Sequence, residues 1–215
     1  MLFQHIGHAE FLITLESGFR IVTDPFDASV GYPVPSLEAD GVLVSHHHHD
    51  HDAVENVSGH PQVIDYAGIH TFAPDVSVTG ILADHDDAGG TKRGKTLLFL
   101  LEAEGLRVAH FGDLGCLLDA DQLEALGSVD ILMIPVGGFY TIDAVTAKEV
   151  AEQLDPRIIL PMHYRTKYNA DWPIGPAEDF LRFFDPSQVR TGSSILRVTK
   201  GDLSCQPHVV CFAAQ

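Results

Sequence analysis

Positive charge is scarce in this chain: 13 Lys and Arg stand against 30 Asp and Glu over 215 residues, a formal charge of −17 with His neutral. A field of that sign repels a phosphate backbone, so sequence-independent nucleic-acid binding is disfavoured from the start. Cysteine is also sparse. Cys116, Cys205 and Cys211 cannot all pair within one chain and form no CxxC, which argues against a disulfide framework and for a reducing compartment. No charge-free apolar run reaches the ~18 residues that a membrane span needs. Met1 to His5 shows no basic segment leading into an apolar one, so cytoplasmic residence is the expectation. With 45% apolar residues the chain can build a substantial core, and nothing in it marks a linker or a tandem repeat. Residues 1–215 therefore read as a single α/β domain.

Histidine, by contrast, is abundant. Of 13 in the chain, five fall in Ser45-His46-His47-His48-His49-Asp50-His51. An affinity-tag remnant would be terminal and uninterrupted, whereas this run is internal and carries Asp50 at a ligand spacing. It follows the strand-like Gly41-Val42-Leu43-Val44-Ser45, and an extended backbone sends His46 and His48 to one side while His47 and His49 point elsewhere. Four ligands in six residues crowd a single tetrahedral ion, so a pair of ions completed by later segments is the better reading. His85, Asp113 and His163 each follow a predicted strand, where sites collect in layered α/β proteins.

The remaining pattern predicts hairpins in the first half and helices in the second. Phe11–Leu15 and Phe19–Asp24 flank a turn containing Gly18, and Thr96–Leu101 and Arg107–Phe111 flank Glu104-Gly105. Short strands are expected at 62–65, 76–82, 129–135 and 157–162, with a closing strand at 194–198. Asp119 with Gln122 resembles a capping box, with Gly127 where that helix would end. Thr141 or Asp143 can cap a helix over 144–154 whose buried face would hold Val145, Val150, Ala151 and Leu154. A further helix is expected from Gly175-Pro176-Ala177 to Phe183.

His46-x-His48-x-Asp50-His51 followed in order by His85, Asp113 and His163 resembles the metallo-β-lactamase superfamily. Ile6-Gly7-His8-Ala9 and Thr23-Asp24-Pro25 are similar to its branch of small cytoplasmic Zn-dependent hydrolases, the L-ascorbate-6-phosphate lactonase-like group among them. The resemblance implies an αββα four-layer sandwich with two metals at one edge. It implies one metal held by His46, His48 and His85, a second by Asp50, His51 and His163, and Asp113 bridging both. His48 stands where the similar diiron flavoproteins usually carry Glu, which favours Zn2+, two per chain, with Mn2+ or Fe2+ also compatible with these ligand types. Relatives often read Gly-Asp-Leu-Gly-His; here Gly112-Asp113-Leu114-Gly115-Cys116 ends in cysteine, read as a small buried filler or a soft thiol.

The implied activity is hydrolysis by a metal-bridging hydroxide of an ester-like bond, a lactone or phosphodiester, in a small molecule. Asp50 and Asp113 are the catalytic carboxylates, and Tyr140, with Tyr164 as an alternative, is a candidate donor to a developing oxyanion beside Gly137-Gly138. Asp24 can orient a ligand imidazole or simply form a turn before Pro25. His8 can face the site or a strand edge. Lys92, Arg93 and Lys95 on a glycine-bearing loop, with Arg165 after His163, are candidates for holding an anionic substrate group. Partners are accordingly a small-molecule substrate, with neither nucleic acid nor membrane, and a homo-oligomer stays open. A non-catalytic metal-binding or sensing protein and an RNA-processing nuclease of the same fold are the alternatives.

Overall fold

The computed structural model describes residues 1–206 and 208–213. Its strands in chain order are β1 (Leu2–Gly7), β2 (Glu10–Thr14), β3 (Arg20–Thr23), β4 (Leu37–Glu38), β5 (Gly41–Leu43) and β6 (Val57–Ser58). There follow β7 (Gln62–Ile64), β8 (Gly68–Ala73), β9 (Val76–Asp84), β10 (Lys95–Ala103) and β11 (Leu106–His110). Then come α1 (Ala120–Leu126), β12 (Ile131–Pro135), α2 (Ala144–Leu154), β13 (Ile158–Met162), α3 (Glu178–Leu181), β14 (Val189–Ser193), β15 (Leu196–Arg197) and β16 (Val209–Phe212). They form a six-stranded sheet ordered β15-β1-β2-β3-β5-β7 and an eight-stranded sheet ordered β14-β16-β13-β12-β11-β10-β9-β8, with β4 and β6 as a separate pair.

The two large sheets face each other, and period-two alternation sorts their side chains between layers. On β10, Leu97, Phe99 and Leu101 point into the inter-sheet core with Phe3, Phe11 and Ile13, whereas Leu98 and Leu100 pack under the helices. Ile131 and Met133 of β12 likewise face the other sheet while Leu132 and Ile134 face α1 and α2. A strand buried on both faces reads as a continuous apolar run, which explains Val129–Pro135 and Arg157–Met162 in the sequence. Each fully buried Phe or Leu contributes roughly 1.5–3 kcal/mol of transfer free energy.

The metallo-β-lactamase αββα plan is recognisable, but its outer layers are unequal. Helices cover the larger sheet; the smaller one is covered by the β4–β6 pair and the 3-10 turn at Val54–Asn56, packed on Leu12, Val22 and Val42, while the 3-10 turn at Ala28–Val30 packs with Phe26 and Tyr32. Pro33 and Pro35 in that region deny a helix its N–H donors. Asp119 forms the expected capping box with Gln122, and Asp143, not Thr141, accepts from the Thr146 N–H to cap α2. The buried face of α2 is set differently from expectation: Ala144, Ala147, Val150 and Ala151 are buried, while Val145 is 49% exposed. The small residues let α2 approach the sheet, and Val145 is one position off that face. The helix expected over 175–183 shortens to α3, and β15 is an edge strand of the smaller sheet but not the closing strand of the chain, because β16 follows it and pairs with β13 and β14 in the larger sheet. Among the described residues no helix is long and apolar enough to cross a membrane.

His5 and His110 are buried between the sheets. The His5 Nε2–H donates to the His8 carbonyl at 2.9 Å and the His110 Nε2–H to the Ala9 carbonyl at 2.9 Å. Burial lowers the His5 imidazole to about 4, against the opposing pull of its bond to His8. Because the unfolded chain takes up this proton near pH 6.5 and the folded chain only near 4, the contribution is full above 6.5 and is lost as pH falls toward 4. In chelator-treated protein, His5→Gln should therefore flatten the fall in Tm between pH 7 and 4, recovering up to ~3 kcal/mol. Parallel Tm curves for parent and variant would contradict this.

Candidate metal centre

Every ligand candidate lies just beyond the C-terminal end of a strand, and those ends share one edge of the sandwich. In the smaller sheet β3 runs parallel to β5, and β1, antiparallel to the intervening β2, runs the same way as both; in the larger, β11, β12 and β13 are parallel. His8 thus follows β1, Asp24 follows β3, the histidine run follows β5, His85 follows β9, Asp113 follows β11 and His163 follows β13. The Leu97 N–H donates to the Ser45 carbonyl at 2.8 Å and ties the two sheets together beside the centre.

The predicted ligands converge. The rings of His46, His48 and His85 lie 4.5 to 5.2 Å apart, with their donor atoms within 4.8 Å of one another. Asp113 Oδ1 is 3.2 Å from His51 Nε2, and its Oδ2 is 3.4 Å from both His85 Nε2 and His163 Nε2. One carboxylate therefore touches both ligand groups, as a bridge must. His47 turns away as expected, 3.4 Å from Asp52 and 3.5 Å from Asp65, whereas His49, expected to point elsewhere, is exposed but lines the cavity over the centre. The backbone there is not extended, though: the His51 N–H donates to the His48 carbonyl in a turn.

Several of these atoms are buried without a hydrogen-bond partner, namely His46 Nε2, His51 Nε2, His163 Nε2 and Asp113 Oδ1. Leaving buried polar atoms unsatisfied costs about 1–3 kcal/mol each, so their aim at a common point fits a cation that accepts their lone pairs. Imidazole with carboxylate suits zinc, manganese or iron. Cys116 is half-buried and belongs to none of the ligand groups.

Asp24 decides which nitrogen of two ligands is free. Fully buried, it accepts from His51 Nδ1 at 2.9 Å, from the Ser45 N–H at 2.7 Å and from the Ser45 hydroxyl at 2.7 Å. Ser45 Oγ in turn accepts from His46 Nδ1 at 2.9 Å. Both histidines are thereby fixed in the Nδ1–H tautomer with Nε2 turned to the centre. Burial pushes the Asp24 carboxyl up, but His51 outweighs it and holds the group below its ordinary value. For His51, burial is outweighed by Asp113 and Asp24, which raise the imidazole well above its usual range, so a binding cation must displace its proton. Asp113 is held well below the carboxylate range, since His163 and His51 overcome the cost of burial.

His8, which the sequence left open, joins the cluster. Its Nε2–H donates to Asp50 Oδ2 at 3.2 Å, and its ring centroid is 4.0 Å from that of His163. Its carbonyl accepts from the His163 N–H at 3.0 Å. His8, Asp24 and His163 all have left-handed backbones, with φ of 51, 41 and 52°. Three such non-glycine residues at one site store strain that the surrounding bonds enforce. A positive φ leaves no mark in sequence; only the Gly7-His8 turn at a strand end hinted at it.

Over the centre lies a cavity of about 550 Å3, whose walls include Ser29, His49, Arg93, Tyr140 and Trp172 beside the ligands. Trp172 and Ser29 carried no motif signal. Tyr164 does not reach this cavity: it is buried, 3.6 Å from Cys211 Sγ, in a second pocket that also takes Arg165. Lys92 is bound to Asp87 and Lys95 to Asp84. Gly137 abuts the last strand end, where a Cβ would stand 2.3 Å from the His163 carbonyl oxygen.

Residues 3–163 match the sequence profile of the β-lactamase superfamily domain, a span containing all the ligand candidates. The chain belongs to the metallo-β-lactamase superfamily. It is 32% identical over 206 residues to a UPF0173 metal-dependent hydrolase of Carboxydothermus hydrogenoformans, covering 80% of this chain and 86% of that one. The structure of a candidate Zn-dependent hydrolase of the superfamily from Thermotoga maritima is similar at TM-score 0.80 and 38% identity, covering 98% of this chain and 97% of that one. An isothiocyanate hydrolase from Delia radicum gut bacteria shares the fold alone, at TM-score 0.68 and 12% identity over 100% and 97% of the two chains.

Close to two metal ions per chain are expected in protein purified without chelator. His48→Ala and Asp113→Ala should lower that occupancy, and Asp24→Asn should weaken affinity ~10–100-fold while keeping every ligand. Affinity should also fall as pH drops, beginning above the ordinary imidazole value of ~6.5, because the tightly held proton of His51 competes with the ion. Mass-spectrometric metal analysis after dialysis checks all of these, and occupancy unchanged in Asp113→Ala would exclude the bridge.

Proposed function

We propose that this metal-dependent hydrolase cleaves an ester-like bond, a lactone or phosphodiester, in a small molecule, using two zinc ions. The observation that carries this reading is the position of Asp113 between two groups of donors, of which His46 Nε2, His51 Nε2 and His163 Nε2 are buried without a hydrogen-bond partner. His46, His48 and His85 would hold one ion and Asp50, His51 and His163 the other. When bound, such a pair supplies Lewis acidity and a hydroxide nucleophile at neutral pH.

The chain's own groups then do the positioning. Asp24 keeps His46 and His51 in the ligand tautomer. Asp50, turned by its bond to His8 and open to the cavity, takes the proton of the attacking water and returns it to the leaving oxygen as the ester bond breaks. Tyr140 lines the same cavity, and its hydroxyl would donate to a developing oxyanion. The aromatic walls, with Trp172 5.9 Å from Tyr140 and 5.3 Å from His8, limit water around the reacting group.

The metal-loaded protein should hydrolyse members of a lactone and phosphodiester panel, Asp113→Ala should lose at least ~100-fold in kcat/KM, and Tyr140→Phe should lose ~10-fold mainly in kcat. Two bound metals with no turnover across the panel would favour the sensing protein instead. RNA binding that weakens steeply with salt would favour the nuclease.

A further inference from the structure

Of the four cations singled out in the sequence, Arg93 alone lines the metal cavity. Lys92 Nζ donates to Asp87 at 2.6 Å, Lys95 pairs with Asp84, and Arg165 lies in the separate pocket beside Tyr164. Arg93 makes no ion pair among the described residues; its guanidinium carbon sits 5.7 Å from the centre of the Tyr140 ring. Acidic residues outnumber basic ones more than two to one here, so an arginine without a carboxylate at such a place needs another explanation.

The loop that carries it is built for rigidity. Asp86, next in sequence to the ligand His85, accepts four backbone N–H bonds: Oδ1 from Ala88 and Gly90, Oδ2 from Lys92 and Arg93, all at 2.8 to 2.9 Å. Burial pushes this carboxyl up, but those bonds outweigh it and hold the group well below the usual carboxylate range. The His85 N–H donates to the Gly94 carbonyl at 3.1 Å, so both ends of the loop are tied to a metal ligand. Gly115 seals the arrangement from behind, where a Cβ would lie 2.1 Å from the Asp86 nitrogen. The position of Arg93 relative to the centre is thus set before any ligand arrives, which lowers the ordering cost of binding.

Electrostatics narrows what that ligand is. With two divalent cations bound, Asp50, Asp113, Asp24 and a hydroxide would balance their charge, so a guanidinium lining the same cavity keeps no carboxylate of its own until a further anion enters. Its planar fork suits a carboxylate or phosphate, bound through paired N–H donors.

We propose that Arg93 forms an oxyanion-binding subsite at the rim of the metal cavity, so that the substrate carries a carboxylate or phosphate group apart from the bond that is cleaved. The aromatic faces of Tyr140 and Trp172 flank the part of the substrate between the two ends. The inference rests on the hydrolase reading for its meaning, though anion binding itself can be measured without turnover.

The test compares parent, Arg93→Ala and Arg93→Lys, all zinc-loaded and checked for equal metal content. Trp172 is the only tryptophan and lines this cavity, so its fluorescence reports binding of glutarate and of methyl phosphate directly. Parent should bind at least one of the two anions at least ~10-fold more tightly than Arg93→Ala, with Arg93→Lys between them. Which anion shows the Arg93-dependent difference tells carboxylate from phosphate. In turnover, the preference for 4-nitrophenyl hydrogen glutarate over the uncharged 4-nitrophenyl valerate should shrink at least ~10-fold in Arg93→Ala. Arg93-dependent binding with no hydrolysis of either ester or of the lactone and phosphodiester panel keeps the subsite and removes the hydrolase reading. Equal affinities in parent and Arg93→Ala, or an equal loss of rate on both esters, would overturn the subsite.

Discussion

The centre depends on burying imidazoles and carboxylates that face one another with their lone pairs unspent. His46, His51, His163 and Asp113 are all nearly or fully inaccessible, and the atoms they aim inward have no hydrogen-bond partner. Such an arrangement is costly in an apolar interior unless every outward-facing nitrogen is satisfied and the inward ones share a cation. Asp24 meets the first requirement for two of the ligands, through one direct bond and one relay over Ser45. The second requirement is what makes metal binding and folding at this edge a single problem.

The sandwich explains how so many polar groups come to one place. Its central strands β10, β12 and β13 are mostly apolar on both faces, so the ligand side chains collect where strands end. Parallel and antiparallel pairings are arranged so that the ends of β1, β3, β5, β9, β11 and β13 fall at the same rim. There the chain leaves regular structure and takes up the left-handed turns at His8, Asp24 and His163. The Asp86-bound loop extends the same economy outward: the residue after one ligand fixes the backbone that presents Arg93.

Local patterns were readable where a neighbour in sequence supplies the partner. The capping box of Asp119 and Gln122, the cap at Asp143 and the hairpins of β2–β3 and β10–β11 involve residues a few positions apart, and they stand as expected. The ligand candidates were readable for a different reason, since four of them are adjacent and the others each close a strand. Val145 misled because a one-residue rotation of a short helix moves a side chain from core to solvent. Tyr164 and Arg165 follow His163 directly, yet the backbone at that turn sends them to the far side of the strand end. Proximity in sequence to a ligand says little about proximity in space once φ becomes positive.

Composition and spacing alone determined that this chain is an acidic α/β protein with a histidine-rich, metal-compatible segment and further ligands at strand ends, because periodicity and ligand chemistry are properties of residue types. Tertiary structure alone decided that His8 buttresses Asp50, that Trp172 walls the cavity and that Arg93, among four candidate cations, faces the centre. Those choices turn on long-range register and on backbone turns whose energies come from partners far along the chain, and no local pattern encodes them.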